Sequence, residues 1–233
     1  MLDKRNISKT FDEIARGYDR LNRILSFGID VGWRKSLRSF LPEGKNLRLL
    51  DLATGTGDQI LCLMKRTTTI ESAVGLDLSN GMLEIGRKKI AREKFHDKVQ
   101  LIEGDATLIP FSENSFDVVT MSFGIRNVEN VEKCLCEIHR VLKPNGKALI
   151  LELSLPGNFV VRSFYLLYFR HCMPFIAGLL TGDKKSYRYL VDSTESFFLP
   201  EEFICLMKAA GLSNTKARKL SFGIAYLYQG NRC

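Results

Sequence analysis

The chain is predicted to be an α/β protein built on a mostly parallel, seven-stranded sheet with helices on both faces. Three observations carry that prediction. Between residues 47 and 153, short continuous apolar runs alternate with stretches of helical spacing, and unbroken apolar strands between helices mark a parallel sheet covered on both faces. The first run ends in a glycine-rich turn, Asp51-Leu52-Ala53-Thr54-Gly55-Thr56-Gly57-Asp58, that opens a helix. The second run ends in a carboxylate, Asp77, about 20 residues past the last glycine, as in open sheets that hold a ribose.

Taken in order, residues 4–40 read as helices broken near Gly17 and at Phe27-Gly28, within an N-terminal helical cap over residues 1–45. Strands follow at 47–52, 72–77, 98–103, 116–121 and 146–153, with helices near 57–66, 80–93 and 129–142. Ser79-Asn80 has the chemistry of a helix cap. Pro144-Asn145-Gly146 reads as a turn between helix and strand. Residues 155–200 form a C-terminal helical insertion rich in Phe, Leu, Tyr and Ile. Arg162, Arg170, His171 and Pro174 interrupt it, so it does not read as a bilayer span, which needs ~20 mostly apolar residues. It suits a helix pair that is buried or that leans on lipid. A helix opened by Pro200-Glu201-Glu202 and ended by Gly211 comes next, then strands near 214–221 and 223–229. With no repeat or linker in sight, residues 1–233 read as one domain.

Composition narrows the class. A hydrophobic fraction of 45% in 233 residues supports a full core. The net charge of +8 favours an anionic partner, either nucleic acid or an acidic membrane surface, or else is simply a soluble basic surface. Six cysteines are scattered without a C-x-x-C pair. They are expected to be reduced thiols of a cytoplasmic protein, mostly filling the core, with no metal site. Cys134 and Cys136 should point to different sides of their helix. The first residues lack the apolar core of a signal peptide.

The glycine turn also discriminates between cofactors. Glycine lets a backbone pass close under a ligand because it has no Cβ to collide. A pyrophosphate loop expects a third glycine, yet Asp58, Gln59 and Ile60 follow Gly57. Asp58 at the helix start would repel a diphosphate. A cofactor without phosphate fits better.

Asp51–Asp58 resembles the first motif of the Rossmann-like class I methyltransferases, which bind S-adenosyl-L-methionine. Tyr18-Asp19-Arg20-Leu21-Asn22, Ser26-Phe27-Gly28-Ile29 and Trp33 resemble the N-terminal signature of the UbiE/MenG family, whose members C-methylate ubiquinone and menaquinone precursors. Ser122-Phe123-Gly124-Ile125-Arg126-Asn127 resembles that family's segment after the fourth strand. Arg140 to Gly146 with Glu152-x-Ser154 resembles its second signature, and Asp183-x-x-Ser186-Tyr187-Arg188-Tyr189-Leu190 its insert. The resemblance covers nearly the whole chain in order. There are two departures: Asp30 stands where the family usually has histidine, and Asn145 where it usually has glycine. Asparagine tolerates left-handed geometry.

The resemblance implies a C-methyltransferase acting on demethylmenaquinol first, and on the demethylated benzoquinol precursor of ubiquinone second. It places the cofactor on Thr56 and the Gly55 and Gly57 backbone, with Asp77 on the ribose and Asp105-Ala106 at the adenine. Ser122 falls beside the reacting centre, and Tyr18 over the cofactor as a lid. Arg126 is the expected stabiliser of a developing phenolate, with a helix-anchoring salt bridge as the alternative. Asp19 and Asp30 are base candidates; a bound water is another. His139 reads as structural, and His171 is a minor candidate for the quinol pocket. Partners implied are a polyprenyl hydroquinone and an anionic membrane surface facing Arg162, Arg170, Lys184, Lys185 and Arg188; a homodimer is left open. Two rivals stand beside this reading. A nucleic-acid methyltransferase would usually carry Asn/Asp-Pro-Pro-Tyr where this chain has Ser122–Ile125, and the other rival is a non-catalytic cofactor-binding scaffold.

Overall fold

The structure is a computed structural model and describes residues 12, 18–181 and 184–233, with the backbone alone at 18, 177, 179–181 and 184–187. The expected break at Gly17, the helix before it, the Tyr18 side chain and those of Lys184 and Lys185 lie outside the described residues.

Strands β1 (Leu47–Leu52), β2 (Ile70–Asp77), β3 (Val99–Glu103), β4 (Phe116–Ser122), β5 (Leu142–Leu153), β6 (Ser213–Leu220) and β7 (Ala225–Asn231) form one sheet ordered β3-β2-β1-β4-β5-β7-β6. The pairs from β3 through β5 are parallel, and β7 runs antiparallel to both its neighbours. The helices are α1 (Tyr18–Leu25), α2 (Ile29–Ser36), α3 (Asp58–Met64), α4 (Asn80–Arg92), α5 (Val131–Val141), α6 (Phe159–Leu167), α7 (Met173–Thr181), α8 (Lys184–Glu195) and α9 (Pro200–Ala209). A π turn, Tyr168–Cys172, joins α6 to α7.

Alternate strand residues face opposite ways, so the sheet feeds two cores. Leu50, Leu52, Val119, Met121 and Ile150 pack with Leu135 and Ile138 of α5 and Phe203 and Met207 of α9. Leu47, Leu49, Val118, Leu149 and Leu151 pack with Trp33 of α2, Ile60 and Leu63 of α3, and Leu83 and Ile90 of α4. A third cluster joins cap to insertion: Leu21 and Leu25 meet Phe169, Met173 and Val191.

Strand order reverses between β1 and β4, which opens a crevice at their carboxyl ends. Two expectations need correction. Pro144-Asn145-Gly146 is a bulge inside β5, not a turn before it: Phe116 lies opposite Leu142 and Val118 opposite Lys147. Asn145 takes the left-handed φ of 65° that its side chain tolerates. The cysteines are free but are not mostly core: Cys134 is buried and Cys62 half-buried, while Cys136, Cys172, Cys205 and Cys233 are exposed. Cys136 and Cys205 lie on the outward faces of α5 and α9. Cys134 and Cys136 do point to different sides.

Candidate active site

The crevice is shaped first by backbone. Ala53, Gly55 and Gly57 have φ of 47°, 55° and 77°, a left-handed stretch that glycine enters freely and alanine only at a cost of roughly 1–3 kcal/mol. The loop thereby folds back over the strand ends. Its Gly55 N–H donates to Asp77 Oδ2 at 2.7 Å, and the Ser79 N–H donates to Oδ1 at 2.9 Å. Burial pushes the Asp77 carboxyl above the usual range, against these two donors. Ser79 Oγ caps α4 by accepting from the Met82 N–H at 3.1 Å.

Beneath the loop, Asp51 is fully buried and accepts from the hydroxyls of Thr54 at 2.7 Å and Thr120 at 2.6 Å. Desolvation dominates, and the carboxyl is pushed up to about 6 despite both hydroxyls and the charge of Arg34.

The cap is tied to the loop by ion pairs. Thr56 Oγ1 donates to Asp19 at 2.6 Å; Lys89 Nζ reaches Asp19 and Thr56 at 2.9 Å each and also pairs with Asp58. Arg23 joins Asp58 at 3.3 Å and Asp30 at 2.9 Å, and Ser26 Oγ donates to Asp30 at 2.7 Å. Burial raises the Asp58 carboxyl, but Lys89, Arg34 and Arg23 outweigh it and leave it below the usual range.

At the end of β4, Ser122 Oγ donates to Gln59 Oε1 at 3.0 Å. Phe123 then turns through a left-handed φ of 63°. Gly124 passes so close to Ala53 that a Cβ there would collide with the alanine methyl. This turn aims Arg126 inward, into the anchoring ion pair that was its alternative reading. Its guanidinium is buried, ion-paired with Glu152, and donates to the Phe123 carbonyl at 2.8 Å. Tyr189 of the insertion donates to Asn127 at 3.2 Å.

The resulting cavity holds about 730 Å³. Its wall includes Asp19, Asp30, Gly55, Thr56, Asp77, Asp105, Ala106 and Ser122, all expected; Gly57 and Arg126 are not part of it. Asp105 is exposed and caps its own loop, accepting from the Thr107 N–H at 2.7 Å. His139 packs against Gly211, and His171 is exposed rather than facing the cavity. Arg34, Asp51 and Asn127 also line the cavity and were not anticipated from the sequence. Arg34 lies 4.0 Å from Asp30, one helical turn earlier, and sits over the Phe123 ring at 5.0 Å. Its Nε is buried with no hydrogen-bond partner among the described residues. The i, i+4 spacing of Asp30 and Arg34 was the available signal.

A sequence model of the ubiE/COQ5 methyltransferase family matches residues 1–232. A demethylmenaquinone methyltransferase of Thermus thermophilus is 42% identical over 95% of this chain and 99% of its own length. A ubiquinone/menaquinone biosynthesis C-methyltransferase UbiE of Geotalea daltonii is 40% identical over 97% of this chain and 96% of its own. Among solved structures, a SAM-dependent methyltransferase from Thermotoga maritima superposes with a TM-score of 0.67, covering 96% of this chain and 98% of that one at 22% identity. That last likeness speaks to the fold alone.

Proposed function

This chain belongs to the ubiE/COQ5 methyltransferase family, and on that footing we propose that it moves a methyl group from S-adenosylmethionine to a ring carbon of an isoprenoid hydroquinone. Demethylmenaquinol is the first substrate and the demethylated ubiquinone precursor the second, following the names its relatives carry. One observation carries the cofactor half of this reading. In a chain of net charge +8, the cavity wall holds seven carboxylates (Asp19, Asp30, Asp51, Asp58, Asp77, Asp105 and Glu129) against two cations, Arg34 and Lys133. Even with Lys89 and Arg23 paired from behind the wall, the acidic groups remain in excess. Such a wall repels a dinucleotide's diphosphate and suits a ligand with an ammonium and a sulfonium.

The residues fit the group. The Gly55–Gly57 loop would lie under it, Asp77 would take the ribose hydroxyls, and Asp105 with Ala106 would meet the adenine. Asp19 and Thr56 would close the cap over it. When bound, the cofactor supplies an electrophilic methyl carbon on a good leaving group. The chain's task is then to align the ring carbon with it and to enrich that carbon in electrons.

For the second task, Arg34 is the guanidinium in the cavity wall, and it stabilises the phenolate formed when a ring hydroxyl loses its proton. Asp30, 4.0 Å from Arg34 Nε, takes that proton directly or through a water. Transfer would make one carbon–carbon bond at the expense of the methyl–sulfur bond, whose electron pair stays on sulfur. The proton then shed by the ring carbon would pass to water while the ring oxygen regains its electron pair and aromaticity returns. Arg126 acts as a positioning residue, holding Phe123 and Glu152 and so fixing the turn that presents Ser122 and Asn127. Asp19, taken up by Thr56 and Lys89, holds the cap closed. The substrate's tail belongs in a bilayer. No helix among the described residues is long and apolar enough to cross one, and we place the enzyme on the cytoplasmic surface of an anionic membrane.

The test is incubation with methyl-labelled S-adenosylmethionine and each quinol, beside bulk RNA. Label in quinol is expected. Label in RNA with none in either quinol would overturn the reading.

A further inference from the structure

We propose that the outer face of α6 and the turn carrying Phe27 together form a docking surface for an anionic lipid bilayer. The proposal rests on the membrane placement above and deepens it, naming the elements that enter the interface and the chemistry of the surface they meet.

Helix α6 is apolar yet has no buried residue. Phe159, Val160, Phe164 and Leu167 are 81%, 59%, 71% and 58% exposed. Val160, Phe164 and Leu167, spaced by four and three, share one face. A helix that is hydrophobic around most of its girth belongs inside a core or against lipid; here the fold takes the Tyr165 side, against Phe169 and its cluster, and leaves the rest outside. The face continues beyond the helix. Tyr168 follows Phe164 by one turn, and its ring lies 5.6 Å from that of Phe27. Tyr168 also donates to the Leu25 carbonyl at 2.8 Å, so cap and insertion are locked edge to edge.

Phe27 itself is 75% exposed and held at a φ of 52°, with the exposed Ile24 and Ile29 beside it. A bulky residue in the left-handed region is strained, and the contact with Tyr168 still leaves most of its ring in water. Contiguous apolar surface of this kind marks an interaction site.

Charge decides the occupant. Residues 20–29 and 159–181 contain four arginines, Arg20, Arg23, Arg162 and Arg170, and no Asp or Glu, in a chain with 26 acidic residues. Arg23 and Arg170 are engaged with carboxylates of the fold, while Arg20 and Arg162 stand exposed. Apolar rings and aliphatic chains edged by the exposed Arg20 and Arg162, with the neighbouring carboxylates Asp19, Asp30 and Glu195 already paired to cations, are what a bilayer with acidic headgroups accepts at its interface. A second copy of this chain would instead set the arginines of one face against those of the other.

The experiment uses the full chain and vesicles without quinol, either phosphatidylcholine alone or phosphatidylcholine mixed with phosphatidylglycerol. Co-sedimentation with the mixed vesicles is expected, weakened by salt and much weaker on phosphatidylcholine. Replacing Phe164 and Leu167 together by Ser, or Phe27 by Ser, should lower the partition coefficient on the order of tenfold per large side chain removed. The variant Phe164→Trp should show a blue-shifted emission on binding, which checks insertion in a protein that keeps its packing. No binding to mixed vesicles, binding untouched by the substitutions, or a dimer in light scattering that these substitutions dissolve would each overturn the proposal. Methyl transfer to a short-tailed, water-soluble quinol tests the reaction separately, so failure of the surface and failure of the proposed chemistry read out apart.

Discussion

Replacing Asp51 by Asn should stabilise the ligand-free protein at high pH while impairing methyl transfer. Asp51 is 1% exposed, and burial lifts its carboxyl from an ordinary 3.8 to about 6. The folded protein therefore binds this proton more tightly than the unfolded chain does. The group's contribution is most favourable below pH 3.8 and is progressively lost as pH rises to 6. At ~1.4 kcal/mol per pH unit, the charged form costs the fold ~3 kcal/mol at pH ~8 and only ~0.5 kcal/mol at pH ~4. The introduced amide would keep one acceptor for the Thr54 and Thr120 hydroxyls and lose another, a pH-independent offset of ~1 kcal/mol. That offset cancels when stabilities are compared across pH. Urea unfolding of both proteins at unit steps from pH ~4 to ~8 should show the difference, variant minus wild type, growing by ~2.5 kcal/mol, or ~5–10 °C in Tm for a domain of this size. A difference that is flat or shrinks as pH rises would refute the assignment of a buried, unwillingly ionised carboxylate. The stability held back at Asp51 is then a cost accepted for cofactor binding, and the same variant should bind S-adenosylmethionine more weakly.

Arg34→Met should lower kcat on the order of 10²-fold with little change in cofactor affinity, and Arg34→Lys should recover part of it; a kcat close to wild type would return the phenolate to another group. Lys89→Met cuts the cation out of the Asp19, Thr56 and Asp58 cluster and should cost ~1–2 kcal/mol of stability at neutral pH. Asp58 sits below the usual range, so its contribution is full above its unfolded value and fades as pH falls through the folded one; the penalty of Lys89→Met should shrink in acid, and a constant penalty would count against the cluster. Gly124→Ala forces a methyl group onto Ala53 and should lower Tm by several degrees, ~1–3 kcal/mol, with calorimetry as the check; an unchanged Tm would mean the turn is softer than it looks.

Local features of the sequence translated well. The Gly55 and Gly57 turn, the Ser79 cap, the left-handed Asn145 and the carboxylates at strand ends depend on residues near one another in the chain, where side-chain chemistry fixes backbone geometry. The ion pairs between cap and loop did not show. Asp19 meets Thr56 across 37 positions and Lys89 across 70, and nothing local marks such partners. Arg126 illustrates a different limit. Its position after β4 was legible, but the left-handed Phe123 sends its side chain toward Glu152, a residue already present in the matching signature. The direction of a side chain leaving a strained turn is not written in residue spacing. In the proposed mechanism the role expected of Arg126 passes to Arg34, which α2 carries to the cavity wall.

The chemistry is decided by the bond that is made. Demethylmenaquinol incubated with the enzyme and S-adenosylmethionine bearing a labelled methyl should yield a product whose labelled methyl replaces the ring hydrogen, seen by NMR as a carbon-bound methyl. A labelled ether on the ring oxygen, or a quinol recovered without label while the cofactor is consumed, would contradict C-methylation and with it the roles of Arg34 and Asp30.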